Sequence, residues 1–236
     1  PSRITFAGVG KREDEIEYAL KNNIFTINAE SSQELQSISL VALRIGTTAR
    51  VTLRVNPDID AQSHPYITTG LKQNKFGIPS EEAEGVFKFA ATLPNLETVG
   101  VHAHIGSQIT KIEPFVEAAN FLTRFVRSLR EAVMGISHVD FGGGFGVQYS
   151  NVLSHEALPV EPENAVVPPL RQFMEALVPV LREAGCSVWF EPGRSNLWKT
   201  RTASARKHTA RHSRHLGHAA HDERLSRAQP LLSRRV

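Results

Sequence analysis

One cysteine, Cys186, stands in a chain of 236 residues. That excludes an internal disulfide framework and a cysteine-rich metal site, and it suits a reducing compartment. No uninterrupted apolar run reaches the roughly 18 residues that a transmembrane helix needs, so no membrane span is expected. The start, Pro1-Ser2-Arg3-Ile4, has neither an initiator Met nor the apolar core of a signal peptide. It reads as the interior of a longer sequence, with a cytoplasmic setting the simplest expectation.

Acidic residues are scarce at one end. From Ser195 onward ten Lys and Arg face only Asp222 and Glu223, a charge of +8, which leaves 17 basic and 22 acidic residues before it, a charge of −5. The net +3 is therefore an average over two unlike pieces. Any nucleic-acid reading rests on the tail alone, where Trp198 is the one aromatic available for stacking.

The first 194 residues alternate short β-rich runs with amphipathic stretches. Ile4–Ala7 reads as a strand, Lys11 to Leu20 as a helix, and Ile24–Asn28 as a strand. Ser31 or Ser32 caps the next helix, with Glu34 placed for a capping box on Ser31. Ala49–Val55 alternates and stops at Asn56-Pro57. Asp58 to Gly77 reads as a long loop. Ser80 then opens a helix to Leu93, Val99–Gly106 is a strand, and Ile112–Val133 has helical spacing. Val139–Phe141 ends in the glycine run, a Pro- and Glu-rich loop follows, and a helix near Leu170–Ala184 leads to the strand Val188–Phe190.

Six strands separated by five helical segments imply parallel pairing, because every crossover needs a helix. The polar residues gather just past the strands, at Asn56, His104–Ser107, Gly142–Gly144 and Glu191–Arg194. A doubly wound sheet of the dinucleotide-binding kind calls for Gly-x-Gly-x-x-Gly after the first strand, and none is present. A barrel instead brings all strand ends to one mouth. The expectation is an α/β chain forming part of a (β/α)8 TIM barrel, about six of eight strands.

Three consecutive glycines, Gly142–Gly144, close an apolar run. They suit backbone N–H groups converging on an anion such as a phosphate; a tight strand-to-helix turn without ligand is the plain alternative. His104 precedes Gly106-Ser107, where a hydroxyl and free N–H groups suit a phosphate, although a lone strand histidine is commonly structural. His102 lies on the same strand face, yet no further metal ligands group with the pair in the sequence. Glu191 ends an apolar strand, so its carboxylate needs a cation or a proton donor. Arg194 is a candidate ion-pair partner, or is free to meet an anion.

The segments Thr69–Ile78 (Thr-Gly-Leu-Lys-Gln-Asn-Lys-Phe-Gly-Ile), His104-Ile105-Gly106-Ser107-Gln108, Gly142-Gly143-Gly144-Phe145-Gly146 and Glu191-Pro192-Gly193-Arg194 occur in the order found in diaminopimelate decarboxylases. Gly8–Lys11 and Asn28–Ser31 also resemble that family's third and fourth strand ends. Over Pro1–Arg194 the chain thus resembles the pyridoxal 5'-phosphate decarboxylases of the alanine-racemase-like barrel fold. Ornithine and arginine decarboxylases share the glycine and Glu-Pro-Gly-Arg motifs, whereas the Thr69–Ile78 loop with His-Ile-Gly-Ser-Gln favours diaminopimelate.

The resemblance implies roles for these residues. His104 would lie on one face of the pyridine ring. Ser107, the N–H groups of Gly142, Gly143 and Gly144, and the turn Glu191-Pro192-Gly193-Arg194 would surround the phosphate. Glu191 would bond the ring nitrogen, and Arg194 would also reach a substrate carboxylate. The reaction would be decarboxylation of meso-2,6-diaminopimelate to L-lysine.

The same resemblance places the Schiff-base lysine on a first strand upstream of Pro1; Lys11, Lys72 and Lys75 do not match it, so no catalytic residue is expected in this chain. The first two barrel strands and the C-terminal β domain would also be absent, which weakens the case for the family's homodimer. Alternatives are a fold-related decarboxylase acting on arginine, ornithine or carboxynorspermidine, and a non-catalytic remnant with a basic anion-binding tail. A plastid setting would apply if the source were a plant or alga.

After Arg194 the apolar periodicity stops, and residues 195–236 are rich in Arg, His, Ser and Ala, including His208, His212, His215, His218 and His221. A nucleic-acid arm, an irregular His metal tract and out-of-frame translation compete. The abruptness of the change favours the third. The expected domains are therefore a partial cofactor-binding barrel over 1–194 and a basic low-complexity tail over 195–236.

Overall fold

A computed structural model describes residues 1–60, 76–132, 135–147 and 167–193. The expectations for Thr69–Lys75, for the Pro- and Glu-rich loop, for Arg194 and for the basic tail lie outside the described residues.

Strands and helices alternate as β1 (Thr5–Phe6), α1 (Glu13–Lys21), β2 (Thr26–Ala29), α2 (Ser32–Arg44), β3 (Ala49–Asn56), β4 (Ile78–Pro79), α3 (Ser80–Thr92), β5 (Leu96–His102), α4 (Glu113–Glu131), β6 (His138–Asp140), α5 (Leu170–Arg182) and β7 (Ser187–Trp189). The sheet order is β1-β2-β3-β5-β6-β7, with β4 paired to β3, and every pairing is parallel. The result is a curled parallel half-barrel, as the strand-end clustering implies. Among the described residues, β4 is the one strand the sequence pattern does not announce. It is two residues long and exists by pairing Ile78 and Pro79 with Val55 and Asn56 at the end of β3.

Local chemistry explains the helices. Ser31 caps α2 by accepting the Glu34 N–H at 3.2 Å. The expected box is only half formed, because the Glu34 carboxylate accepts the Glu30 N–H at 2.7 Å and the Lys11 ammonium at 2.9 Å instead. α4 has Pro114 in its first turn and buries Phe115, Ala118, Ala119, Leu122, Val126 and Leu129. That spacing of three and four residues lays one apolar stripe on the sheet. Each large buried side chain contributes about 1.5–3 kcal/mol.

Strand alternation sorts the two faces. Ile27, Ala29, Val51, Leu53, Val55, Val101 and Val139 join the apolar core with the helices. The intervening Thr26, Asn28, Glu30, Thr52, Arg54, His102, His138 and Asp140 are also buried, and they meet one another inside the curl. Thr52 Oγ1 lies 2.9 Å from Thr26 Oγ1 and 2.9 Å from His138 Nε2. The His138 ring reaches that point only because Gly100 lies on its neighbouring strand; a Cβ there would run into the imidazole. Near the outer strands, Phe25 stacks on Trp189 with ring centroids 4.5 Å apart.

Candidate functional site

The site is assembled by two loops bound together past the strand ends. Ile109 and Phe145 form a parallel bridge, with Ile109 N–H donating to the Gly144 carbonyl at 3.0 Å and Gly146 N–H to the Ile109 carbonyl at 2.9 Å. The Gln108 side chain donates to the Val147 carbonyl at 2.6 Å and accepts the Val147 N–H at 3.3 Å. Gln108 is thus the clamp between the loops, a role its place in the motif does not reveal. Beneath, Phe145 stacks on Phe115 at 4.8 Å and meets Phe173 edge-on at 5.4 Å. Aromatic anchors in α4 and α5 therefore pin the glycine loop.

The glycines are required by close approach. A Cβ on Gly142 would sit 2.7 Å from the Ala103 carbonyl, one on Gly143 would strike the Glu191 carbonyl, and one on Gly144 would strike that of Gly106. The loops after β5, β6 and β7 consequently meet backbone to backbone. Two of the N–H groups that the sequence assigns to a phosphate are engaged within the protein: Gly142 N–H donates to Asp140 Oδ1 at 3.0 Å and Gly143 N–H to His104 Nδ1 at 3.2 Å. Ser107 is exposed beside Gly106. Pro192 and Gly193 follow Glu191 at the same end.

β5 stops at His102, so His104 belongs to the loop beyond it. Because its Nδ1 accepts a hydrogen bond, the His104 proton resides on Nε2. Burial and the nearby Arg54 lower its pKa, which keeps the ring neutral. Glu191 is 34% exposed at its side chain. Its Oε1 accepts the Thr5 hydroxyl at 3.1 Å, and its backbone N–H donates to the Gly142 carbonyl at 2.7 Å.

Sequence reading finds no ligand set around His102. The fold supplies a cluster: His102, Asp140 and Glu191 place one donor atom each within 4.8 Å of one another. They come from β5, β6 and the end of β7, and only the sheet register brings them together. His102 Nε2 is 3.8 Å from Glu191 Oε2. The contact is not an ion pair, since burial first and Arg54 second hold the His102 pKa well below its usual value. Among the described residues neither His102 ring nitrogen has a hydrogen-bond partner, nor does Asn28 Oδ1. Asn28 Nδ2 lies 3.5 Å from Asp140 Oδ2. A carboxylate inside an apolar strand, Val139-Asp140-Phe141, was the available signal for Asp140.

The lysines are accounted for differently. Lys11 Nζ is held by the carbonyls of Gly8 and Asn28 at 2.6 and 2.7 Å and by Glu34 Oε1 at 2.9 Å, with its side chain 2% exposed. Lys72 and Lys75 lie outside the described residues.

A curled parallel α/β sheet with its polar groups beyond the carboxyl ends of the strands defines a protein of the (β/α)-barrel class. The family model "Pyridoxal-dependent decarboxylase, pyridoxal binding domain" matches residues 1–197. The chain belongs to this family. It is 40% identical over 227 residues to a diaminopimelate decarboxylase of Pseudomonas aeruginosa, covering 96% of this chain and 51% of that protein. A diaminopimelate decarboxylase of Vibrio cholerae is 42% identical, over 83% of this chain and 44% of the relative. The crystal structure of diaminopimelate decarboxylase from Helicobacter pylori complexed with L-lysine superposes with a TM-score of 0.72 at 41% identity, over 83% of this chain and 46% of that one. The chain spans about half the length of the curated relatives it matches.

Proposed function

We propose that this chain is the cofactor wall of a pyridoxal-phosphate-dependent diaminopimelate decarboxylase, acting on meso-2,6-diaminopimelate to yield L-lysine and CO2. The observation that carries the reading is Glu191, a partly buried carboxylate held by Thr5 at the barrel mouth, facing the clamped loops of His104 and Gly142–Gly144. The donor set fits the cofactor: a carboxylate for a ring nitrogen, a neutral imidazole for a ring face, and a glycine loop that lets the backbone of three strand ends come together beside them.

Bound there, the cofactor supplies the electron sink for the pair left when CO2 departs. Glu191 would hold a proton on the ring nitrogen. His104, fixed by Gly143 N–H, would present a flat, uncharged face and exclude water from it. Ser107, Gly144 and the turn Pro192-Gly193-Arg194 would meet the phosphate, since the Gly142 and Gly143 N–H groups are engaged by Asp140 and His104, with Arg194 also meeting a substrate carboxylate. The Schiff-base lysine is not among this chain's residues in this reading. The three acceptors around Lys11 Nζ support that assignment, because a buried, paired ammonium is a poor nucleophile. The relatives named above are bacterial, so they give a plastid setting no support.

Purified chain mixed with pyridoxal phosphate and then reduced with borohydride tests the reading. The expected result is a change in cofactor absorbance, no stoichiometric adduct on a single lysine, and no CO2 from diaminopimelate. An adduct on one lysine overturns the assignment of the missing lysine, and absence of binding overturns the cofactor wall. Assaying a full-length form with arginine, ornithine and carboxynorspermidine beside diaminopimelate separates the alternative substrates. The basic stretch from Ser195 is proposed to be read out of frame; coding DNA with no continuing apolar frame after Arg194 in another register would rule this out.

A further inference from the structure

We propose that Asp140 holds a proton in the cofactor-free protein, shares it with Glu191, and releases it when a cationic ring nitrogen docks on Glu191. Asp140 is thus a positioning residue acting through Glu191. The shared proton stands on the geometry of this chain alone; its release rests on the cofactor reading above.

Asp140 is fully buried on β6. Its Oδ1 accepts the Gly142 N–H at 3.0 Å, and the Asn28 amide lies 3.5 Å from Oδ2. The charged or titratable groups around it are Glu191 from the end of β7 and His102 from β5, all within one 4.8 Å cluster. No cation enters that cluster among the described residues. Arg54 is taken by Glu30 at 2.7 Å, Lys11 by Glu34 at 2.9 Å, and Arg50 lies over Phe25. His102 cannot become one, since Arg54, His104, Lys11 and His138 all add to the effect of burial on its ring.

Two carboxylates this close, with no cation beside them among the described residues, do not both ionise when one of them is fully buried. Glu191 reaches solvent and has the Thr5 hydroxyl, whereas Asp140 has neither. The proton therefore resides on Asp140, in keeping with burial and the Glu191 charge pushing its pKa up to about 7. When a protonated pyridine nitrogen settles against Glu191, one positive charge enters the cluster. Asp140 then ionises, and its proton leaves to solvent, leaving one cation between two carboxylates.

The first test is carbon-13 NMR of the whole chain labelled at the aspartate carboxyl carbon. One aspartate titrates near 7, disappears in Asp140→Asn, and shifts to lower pH in Glu191→Gln. Titration of every aspartate in the ordinary carboxylate range overturns the proposal, as does a midpoint unmoved by Glu191→Gln. Asn at 140 keeps an acceptor for Gly142 N–H, and Glu191→Gln gives an independent readout should Asp140→Asn not fold. The second test is calorimetry with pyridoxine 5'-phosphate, which lacks the aldehyde, in buffers of different ionisation heat near neutral pH. At a pH equal to the Asp140 midpoint the group is half protonated, so the wild-type chain releases up to about half a proton more than Asp140→Asn; equal release overturns the coupling. If the ligand binds neither protein, the cofactor reading fails and the release with it, while the NMR titration still decides the shared proton. Stoichiometric Zn2+ binding lost in Asp140→Asn identifies a metal site and overturns the proposal.

Discussion

Thr5 in the first strand donates a 3.1 Å hydrogen bond to Oε1 of Glu191, which follows the last strand 186 residues later. The two outer strands of the sheet thus meet at the mouth through one hydroxyl and one carboxylate. Thr5→Val keeps the shape and removes the donor. A partly exposed bond of this kind contributes about 0.5–1.5 kcal/mol, so the urea midpoint of the variant falls slightly and cofactor affinity falls with it. An unchanged midpoint and affinity would show that the contact contributes nothing.

Gly144→Ala places a Cβ against the Gly106 carbonyl at a residue whose φ is +93°. Overpacking of this sort costs about 1–3 kcal/mol, and it forces apart the loops that the Ile109–Phe145 bridge joins. Thermal unfolding and cofactor absorbance both register the loss. Gly85→Ala in α3, where a Cβ meets nothing within 4 Å, is the control, and it gains about 0.5–1 kcal/mol from helix entropy.

Acid sensitivity follows from His138. Burial first, then Arg50, lowers its pKa from 6.5 to about 4. Between those values the unfolded chain binds a proton that the folded chain does not, so stability rises with pH and is lost as pH falls from 6.5 towards 4. The effect is on the order of 3 kcal/mol at most. Asp140 acts in the opposite sense, since between 3.8 and about 7 the folded state holds the proton, and stability declines as pH rises. Urea midpoints against pH should show a flatter acid limb in His138→Gln and a steeper one in Asp140→Asn. The same limb in His138→Gln as in wild type contradicts the assignment.

Lys11→Met removes an ammonium from three acceptors and leaves Glu34 buried without its cation, its side chain 11% exposed. Breaking a buried pair from one side costs about 3–5 kcal/mol. The double change Lys11→Met with Glu34→Gln recovers part of the loss in denaturant titrations. Equal stability of single and double variants would contradict a coupled pair.

Much of the architecture was legible because its signals are local. The alternation in Ala49–Val55, the cap at Ser31 and the apolar spacing from Phe115 to Leu129 each mark an element on its own. The candidate residues His104, Ser107, Gly142–Gly144 and Glu191 were legible for a related reason: strand ends in a parallel sheet share one side, so residues just past each strand converge. Asp140, His102, Thr5 and Asn28 were not legible as a group. Their relationship depends on register across separate strands, which no local pattern carries. The half-formed box at Ser31 has the same origin, since Glu34 was drawn away by the Glu30 backbone and by Lys11 from the preceding βα loop.

The amino-acid sequence alone determined which segments become the helices and the strands other than β4, and that the pairing is parallel, because periodicity, turn chemistry and crossover length are properties of contiguous residues. The tertiary structure alone decided that Thr5 meets Glu191, that two glycine N–H groups are engaged by Asp140 and His104, and that the Asp140 and Glu191 carboxylates share one cluster with no cation among the described residues. Those are matters of distance and desolvation between remote segments. Both exist only once the sheet has curled.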